Sequence, residues 1–182
     1  MKDNPLYNKI GIDGKTTTKY TMGDWSKIVV HSDKEIKGFF GPYRWMSNFH
    51  SCEVFYDGRF YPSSENAYQA AKVVEYDRNK FERCTPAESK KIWKQCDRID
   101  KSSEEWDLRK YEVMANILYD KFYRNLDLRK LLVDTDLKYL EELNWWKDSY
   151  WGVDVVLGGK NNLGTLLMLT RRYFSALDGF KR

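Results

Sequence analysis

Three polar side chains with useful chemistry recur at helical spacing in the middle of the chain. Glu65, Gln69 and Lys72 stand at positions i, i+4 and i+7 of a stretch that begins with two serines. Residues seven apart return almost to the same side of an α-helix, so the three side chains share one polar stripe. That stripe would offer a carboxylate and an amine about 10 Å apart by helix rise. The spacing alone favours a simpler interpretation, a solvated helix face with an acid in its first turn.

A second candidate is a dense aromatic segment from residue 144 to residue 152. It places Asp148 among three tryptophans and a tyrosine, with Trp151 the last of them. A flat base stacked on such a ring gains about 1–3 kcal/mol, so the segment suits an aromatic platform with an acid beside it. The same residues also suit a core strand and its flanking turn. Taken alone, the segment favours the core interpretation.

Two weaker signals complete the candidates. The glycine-rich residues 158–164 lead into a helical pattern, but they lack the spacing of a P-loop or of GxGxxG. Asn48 precedes a β-prone stretch and suits either a ligand contact or a turn cap. Two histidines, at positions 31 and 50, do not support a catalytic triad, and three cysteines form no CxxC. We therefore expect no metal site and no cofactor.

Composition narrows the class of protein. The chain has 182 residues and a net charge of +4, which is too small to indicate a nucleic-acid-binding protein by itself. No apolar run approaches the roughly 18–20 residues that a membrane span needs, and the polar start lacks a secretory signal. The odd number of cysteines fits a reducing compartment, so we expect a cytoplasmic protein without membrane partners. Aromatic residues make up 16% of the chain, and they suit a core as well as a binding site.

Local signals predict the elements that must position these residues. Asp57-Gly58 between two β-prone runs predicts a hairpin with a type I′ turn, and Ser63-Ser64-Glu65 opens a helix that runs through Val74. The next helix begins at Thr85-Pro86 with a capping box. A long amphipathic helix begins at Ser102, and Trp106 lies on its apolar side. The remaining expectations are strands at 27–31 and 150–157, a short helix at 126–132, a turn at 158–162 and a last helix at 163–174. Together they predict an α+β fold, mainly helical, with a small antiparallel sheet.

The ordered set of motifs resembles the YbiA-like or NADAR family, named for association with NAD and ADP-ribose. The resemblance covers about residues 38–174, so we expect an extension at 1–37 and a single YbiA-like domain at 38–182. The matching segments are SNF at 47–49, the Asp-Gly hairpin, YPSSENAYQAAK at 61–72, TPAESKK at 85–91, Trp106, VMANILYDKFYRNLDLRKLL at 113–132, DSYWGV at 148–153 and GGKNNLGTLLMLTR at 158–171.

The resemblance implies an N-glycosidase that cleaves a ribose–base bond. Some members of the family remove ADP-ribose from guanine, and others act on phosphoribosylamino-pyrimidine intermediates of riboflavin synthesis. We expect the first reaction, with ADP-ribosylated nucleic acid or a nucleotide-like small molecule as the partner. The alternatives are the second reaction and the binding of ADP-ribose or NAD without catalysis.

The resemblance also reverses the interpretation of the polar stripe. It implies catalytic roles for Glu65, Lys72 and Asp148, in a pocket built from the SNF loop, the SSE helix and the YWG segment. Two departures from the family pattern concern Asn66, where some members have His, and residues 92–94, which replace a frequent Gly-Arg. The substrate-binding residues that the resemblance implies are Asn48, Tyr68, Trp151, Gly152 and Asn161.

These roles suggest a mechanism. Breaking the bond builds positive charge on the ribose C1′, which Glu65 or Asp148 would stabilise while activating water. Lys72 would either protonate the leaving base or attack C1′ as an amine, and the attack requires a pKa lowered by burial. Tyr68 and Trp151 would stack on the base or hold the sugar.

Overall fold

The protein is described by a computed structural model that covers the backbone of residues 17–19 and 28–179 and the side chains of residues 31–179. It has the predicted α+β fold and is mainly helical. Among the described residues, no helix is long and apolar enough to cross a bilayer. The described residues divide into two compact units, which we call the central unit, Asn48–Leu131, and the terminal unit, which comprises the residues up to Ser47 and from Leu132 onward.

The terminal unit contains a four-stranded sheet. Its strands are β1 (Thr17–Lys19), β2 (Ile28–His31), β3 (Glu35–Lys37) and β6 (Tyr139–Glu141), in that order across the sheet. The first three are antiparallel neighbours, whereas β3 and β6 run parallel with Ile36 opposite Leu140 in the buried layer. The final helix α5 (Asn162–Gly179) packs against β6 through its buried leucines and Phe174. A second small pair joins β7 (Leu143–Asn144) to β8 (Val153–Asp154).

The central unit contains the predicted hairpin and most of the helices. Strands β4 (Val54–Tyr56) and β5 (Arg59–Tyr61) meet at Asp57-Gly58, and both turn residues have positive φ as a type I′ turn requires. Three helices follow, α1 (Ser64–Ala70), α2 (Pro86–Ile92) and α3 (Ser103–Arg124), each with its predicted side-chain cap. Helix α4 (Leu126–Val133) begins in this unit, and 3-10 helices occupy Glu75–Phe81 and Trp93–Gln95.

Three predicted elements are wrong in their extent: the last helix runs to Gly179 instead of ending at residue 174, and the other two are shorter than predicted. Helix α1 ends at Ala70 instead of Val74, because the backbone after it pairs with a distant segment: Ile99 donates to the Lys72 carbonyl, and Val74 donates to the Asp97 carbonyl. The predicted strand at 150–157 shrinks to Val153–Asp154. There the backbone bends around carboxylates: Asp148 accepts hydrogen bonds from the two amides that follow at 150–151, and Asp154 from those at 156–157. Strand β1 lies in a stretch for which no strand was predicted.

Candidate functional site

The polar stripe of the sequence forms a continuous hydrogen-bond chain in the central unit. The Lys72 Nζ donates to Gln69 Oε1 at 2.8 Å, and Gln69 Nε2 donates to Glu65 Oε1 at 2.7 Å. Glu65 and Gln69 are only 7% and 3% exposed, so the solvated face favoured by spacing alone is wrong. One amide therefore joins the amine to the carboxylate, and its oxygen must face the lysine because an ammonium only donates.

Aromatic rings surround the amine at the end of this chain. The Nζ of Lys72 lies 4.5 Å from the centre of the Trp93 ring, 4.8 Å from that of Tyr68 and 5.4 Å from that of Trp106. Rings attract an ammonium through their faces, but they also exclude the water that would solvate it. Burial is the main cause that lowers the pKa of Lys72 from 10.5 to about 8, and nearby cations add to it while Glu65 opposes it. The amine is thus unprotonated in a useful fraction of molecules near neutral pH.

A cavity of about 130 Å³ opens beside Lys72. A cavity of roughly 150 Å³ holds one benzene ring in other proteins, so this one accepts a single small ring and leaves the rest of a ligand outside. Its residues come from the segment that follows α1, the 3-10 helix after α2, the loop at 98–102 and the start of α3. They are Lys72, Trp93, Arg98, Asp100, Ser102, Ser103 and Trp106.

Caps and one arginine hold these elements in place. Ser63 accepts a hydrogen bond from the Asn66 amide and begins α1, and Ser102 does the same for α3 through the Glu105 amide. Arg109 on α3 donates to the Ala71 carbonyl at 2.7 Å and forms a two-pronged ion pair with Asp100. The residue that precedes Lys72 is therefore tied directly to α3.

Asn48 lies beside this chain with an unsatisfied acceptor. Its backbone carbonyl accepts a hydrogen bond from the Glu65 backbone amide at 3.0 Å, and the residue is 9% exposed. In the described part of the protein, Asn48 Oδ1 and Ser64 Oγ are buried without a hydrogen-bond partner. Buried polar atoms are usually paired, so an unpaired acceptor on a residue whose backbone bonds that of Glu65 suits contact with a ligand hydroxyl.

The eight site residues expected from the sequence fall into two groups. Asn48, Glu65, Tyr68 and Lys72 lie together in the central unit. The other four, Asp148, Trp151, Gly152 and Asn161, belong to the terminal unit.

Within the terminal unit, these four residues have clear local contacts. Asp148 Oδ1 accepts hydrogen bonds from the Tyr150 and Trp151 amides, and the Trp151 ring meets that of Tyr150 edge-on at 4.9 Å. A Cβ on Gly152 would lie 2.3 Å from the Glu142 carbonyl oxygen, so only glycine fits. The Asn161 amide bonds to Tyr139 Oη, the Leu140 carbonyl and the Glu142 amide, which fastens the start of α5 to β6. Their roles in substrate binding stay predictions.

Two residues of the lysine site were missed as such in the sequence. Trp106 was placed among core residues of a helix face, whereas it is half-buried and lines the cavity. Trp93 was noted only as a departure from the family pattern, yet its ring is the closest of the three to the amine. No pattern in the sequence indicated Trp93, because its contact with Lys72 arises only from packing in the folded unit.

Fold and site together define an α+β protein with a half-buried lysine of lowered pKa, an arrangement that suits nucleophilic or acid–base chemistry. Residues 31–175 match the model of the NADAR domain family, and the chain belongs to that family.

Curated relatives of this chain include two N-glycosidases. It is 35% identical to the N-glycosidase YbiA of Escherichia coli over 127 residues, which cover 69% of this chain and 78% of that protein. It is 30% identical to an N-glycosidase of Nostoc punctiforme over 135 residues, 71% of this chain and 85% of that protein. A riboflavin biosynthesis protein of Vibrio vulnificus is 33% identical over 132 residues, and this chain spans about a third (34%) of its length.

The fold agrees with a solved relative. The NMR structure of Escherichia coli YbiA superposes with a TM-score of 0.70 at 31% identity, covering 84% of this chain and 91% of that one.

Proposed function

We propose that this protein is an N-glycosidase that cleaves a ribose–base bond, with Lys72 as the reacting amine. The observation that carries the proposal is the aromatic cage that lowers the pKa of Lys72 to about 8. The family and the names of two relatives support the reaction class. The substrate that we propose is ADP-ribosylated guanine, from which the enzyme releases ADP-ribose.

The proposed reaction starts with attack of the neutral Lys72 amine on the ribose C1′. The new C–N bond forms as the bond from C1′ to the base breaks, and the base leaves with the bonding electrons and takes up a proton. Opening of the ribose then gives an imine with Lys72, which water hydrolyses to free the sugar and restore the amine. Glu65, one amide away from the lysine, stabilises the positive charge that develops on C1′.

A second candidate substrate is a phosphoribosylamino-pyrimidine. It is favoured by the name of the Vibrio vulnificus relative, which refers to riboflavin biosynthesis. The cavity beside Lys72 also suits a single small ring, as a pyrimidine is. The two substrates present the same ribose–nitrogen bond to the lysine and differ in the base and in what the ribose carries.

The experiment incubates the protein with ADP-ribosylated guanine oligonucleotide and, separately, with the pyrimidine intermediates. We expect release of ADP-ribose or of ribose phosphate, with loss of about 10³-fold or more in Lys72→Ala and in Lys72→Arg. Undiminished activity in both variants would exclude a role for the lysine. Cleavage of neither substrate by the wild-type protein would favour binding without catalysis.

Borohydride separates the two possible roles of Lys72. Reduction during turnover should trap a covalent sugar adduct on the wild-type protein and none on Lys72→Ala. An active enzyme that yields no adduct would instead assign Lys72 to protonation of the leaving base. The matched control is Lys94→Ala, an exposed lysine that should leave both turnover and trapping unchanged.

A further inference from the structure

Arg98 is an arginine without an acidic partner at the edge of the lysine site. Four other arginines of this unit, Arg59, Arg78, Arg109 and Arg124, form ion pairs with carboxylates. Across residues 31–179, no carboxylate lies within ion-pair distance of the Arg98 guanidinium. Its five donors are therefore available to an anion from outside the chain.

The guanidinium is nevertheless held in a definite place. Its central carbon lies 4.8 Å from the centre of the Trp93 ring, the same ring that the Lys72 amine approaches at 4.5 Å. The backbone of Arg98 pairs with Val73, next to Lys72. Arg98 and Lys72 consequently contact one ring and line one cavity.

The charges around the cavity favour an anion. Lys90, Arg98 and Lys110 all lower the pKa of Lys72 by their positive charge, and Glu65 alone among the main contributors opposes them. The cavity also contains the carboxylate of Asp100, but both of its oxygens accept hydrogen bonds from Arg109. An anion that enters here meets a net positive field, and arginine binds phosphate through two parallel hydrogen bonds.

We propose that Arg98, oriented by the indole of Trp93, binds the phosphate that the substrate's ribose carries. This inference rests on the proposed function and deepens it, because both candidate substrates have a phosphate on that sugar. Arg98 is exposed at the edge of the cavity, so it holds the phosphate outside and places C1′ at the Lys72 amine, while the cavity accepts one ring of the base.

The test compares each substrate with the same compound after removal of its phosphate. In Arg98→Gln, KM for the phosphorylated substrate should rise about 10- to 100-fold, whereas KM for the dephosphorylated compound should stay within about threefold. Each KM is measured on the plateau of the variant's own pH profile, because removing a cation beside Lys72 raises its pKa. Lys94→Gln removes an exposed cation from the 3-10 helix that carries Trp93 and should change neither KM.

Two outcomes would overturn the assignment. One is an Arg98→Gln variant that loses affinity equally for the phosphorylated and dephosphorylated compounds. The other is a variant whose KM for both equals that of the wild type. Trp93→Phe, which keeps a ring, should retain the preference for phosphate, and Trp93→Ala should lose part of it.

A binding measurement keeps the inference separate from the proposed reaction. Titration calorimetry of the full chain with ribose 5-phosphate, ADP-ribose and ribose requires no turnover. Tighter binding of the two phosphorylated sugars, lost in Arg98→Gln, supports the phosphate site even if no substrate is cleaved. Equal binding of ribose and ribose 5-phosphate by the wild type rejects the site, even if the enzyme proves to be an active N-glycosidase.

Discussion

At the scale of single residues, the Lys72 amine is held in an environment that opposes its charge. Three rings and a nearby cluster of cations surround it, and it donates a hydrogen bond to the neutral side-chain amide of Gln69. Such an amine reacts more readily than an exposed lysine, because more of it is unprotonated near neutral pH. The same environment should make the folded state less stable, since the charged form must be buried.

The stability cost of Lys72 is measurable. Its pKa is about 8 in the folded protein and 10.5 in the unfolded chain, so between these pH values the unfolded chain binds more protons and the free energy of unfolding rises with pH. Below pH 8 both states are protonated and the folded state bears the whole penalty. Lys72→Met should therefore raise the free energy of unfolding by about 1–3 kcal/mol at pH 7 while abolishing activity.

Urea denaturation at pH 7 and at pH 10 tests this prediction. The gain from Lys72→Met should shrink at the higher pH, and Lys94→Met, at an exposed position, should show no comparable gain. A Lys72→Met protein that is less stable than the wild type at pH 7 would mean that cation–π contacts outweigh the cost of burial.

At the scale of elements, helix α3 positions the lysine through Arg109. This side chain bonds the Ala71 carbonyl, forms the ion pair with Asp100 and lies 4.7 Å from the centre of the Trp106 ring. Lysine cannot reproduce these contacts, since it lacks the planar guanidinium group with its several donors. We expect Arg109→Lys to lower kcat about tenfold with a smaller change in KM. The acidic limb of the pH profile, which deprotonation of Lys72 sets, should move to higher pH as Lys72 becomes better solvated.

Arg124→Lys provides a matched control for this prediction. Arg124 forms a two-pronged ion pair with Asp120 near the other end of the same helix. Both variants should lose similar stability in thermal unfolding, but only Arg109→Lys should shift the pH profile. An equal shift in both, or in neither, would assign Arg109 a structural role alone.

The elements that could be predicted from the sequence were those whose signals are local. Asp57-Gly58 specifies its turn by backbone preference, and Ser63, Thr85 and Ser102 begin helices with their own side chains. The end of α1 was mispredicted because it depends on backbone pairing with residues 97–99, which no local pattern reveals. The strand at 150–157 was mispredicted from its β-prone side chains. In the structure, backbone amides bond the carboxylates of Asp148 and Asp154, and these bonds bend the backbone out of a strand.

The candidate site likewise has one part that the sequence predicts and one part that only the packing of the folded unit reveals. The stripe of Glu65, Gln69 and Lys72 was visible as spacing, and the family resemblance correctly set aside the expectation of a solvated face. The cage was not visible, because Trp93 and Trp106 come from segments far along the chain that pack beside Lys72 only in the folded unit. The lowered pKa of Lys72 follows from that packing, so it also could not be predicted from the sequence.

At the scale of the whole molecule, the predicted site residues belong to two compact units. The central unit holds the amine, its cage and the cavity, and the geometry there already suits the proposed chemistry. For the terminal unit, the local contacts account for Gly152 and Asn161 as structural residues. Asp148 is different, because its side chain can both shape a turn and carry a catalytic charge.

Asp148→Asn separates these two roles. An asparagine oxygen can still accept the hydrogen bonds from the Tyr150 and Trp151 amides, so the turn and the thermal midpoint should be preserved. The negative charge is lost, and if that charge stabilises C1′ the rate should fall about 100-fold or more. Asn161→Ala is the contrasting variant, since it removes three hydrogen bonds and should lower the midpoint. Wild-type activity in Asp148→Asn would restrict Asp148 to the turn and leave the central unit to supply the catalytic carboxylate, which is then Glu65.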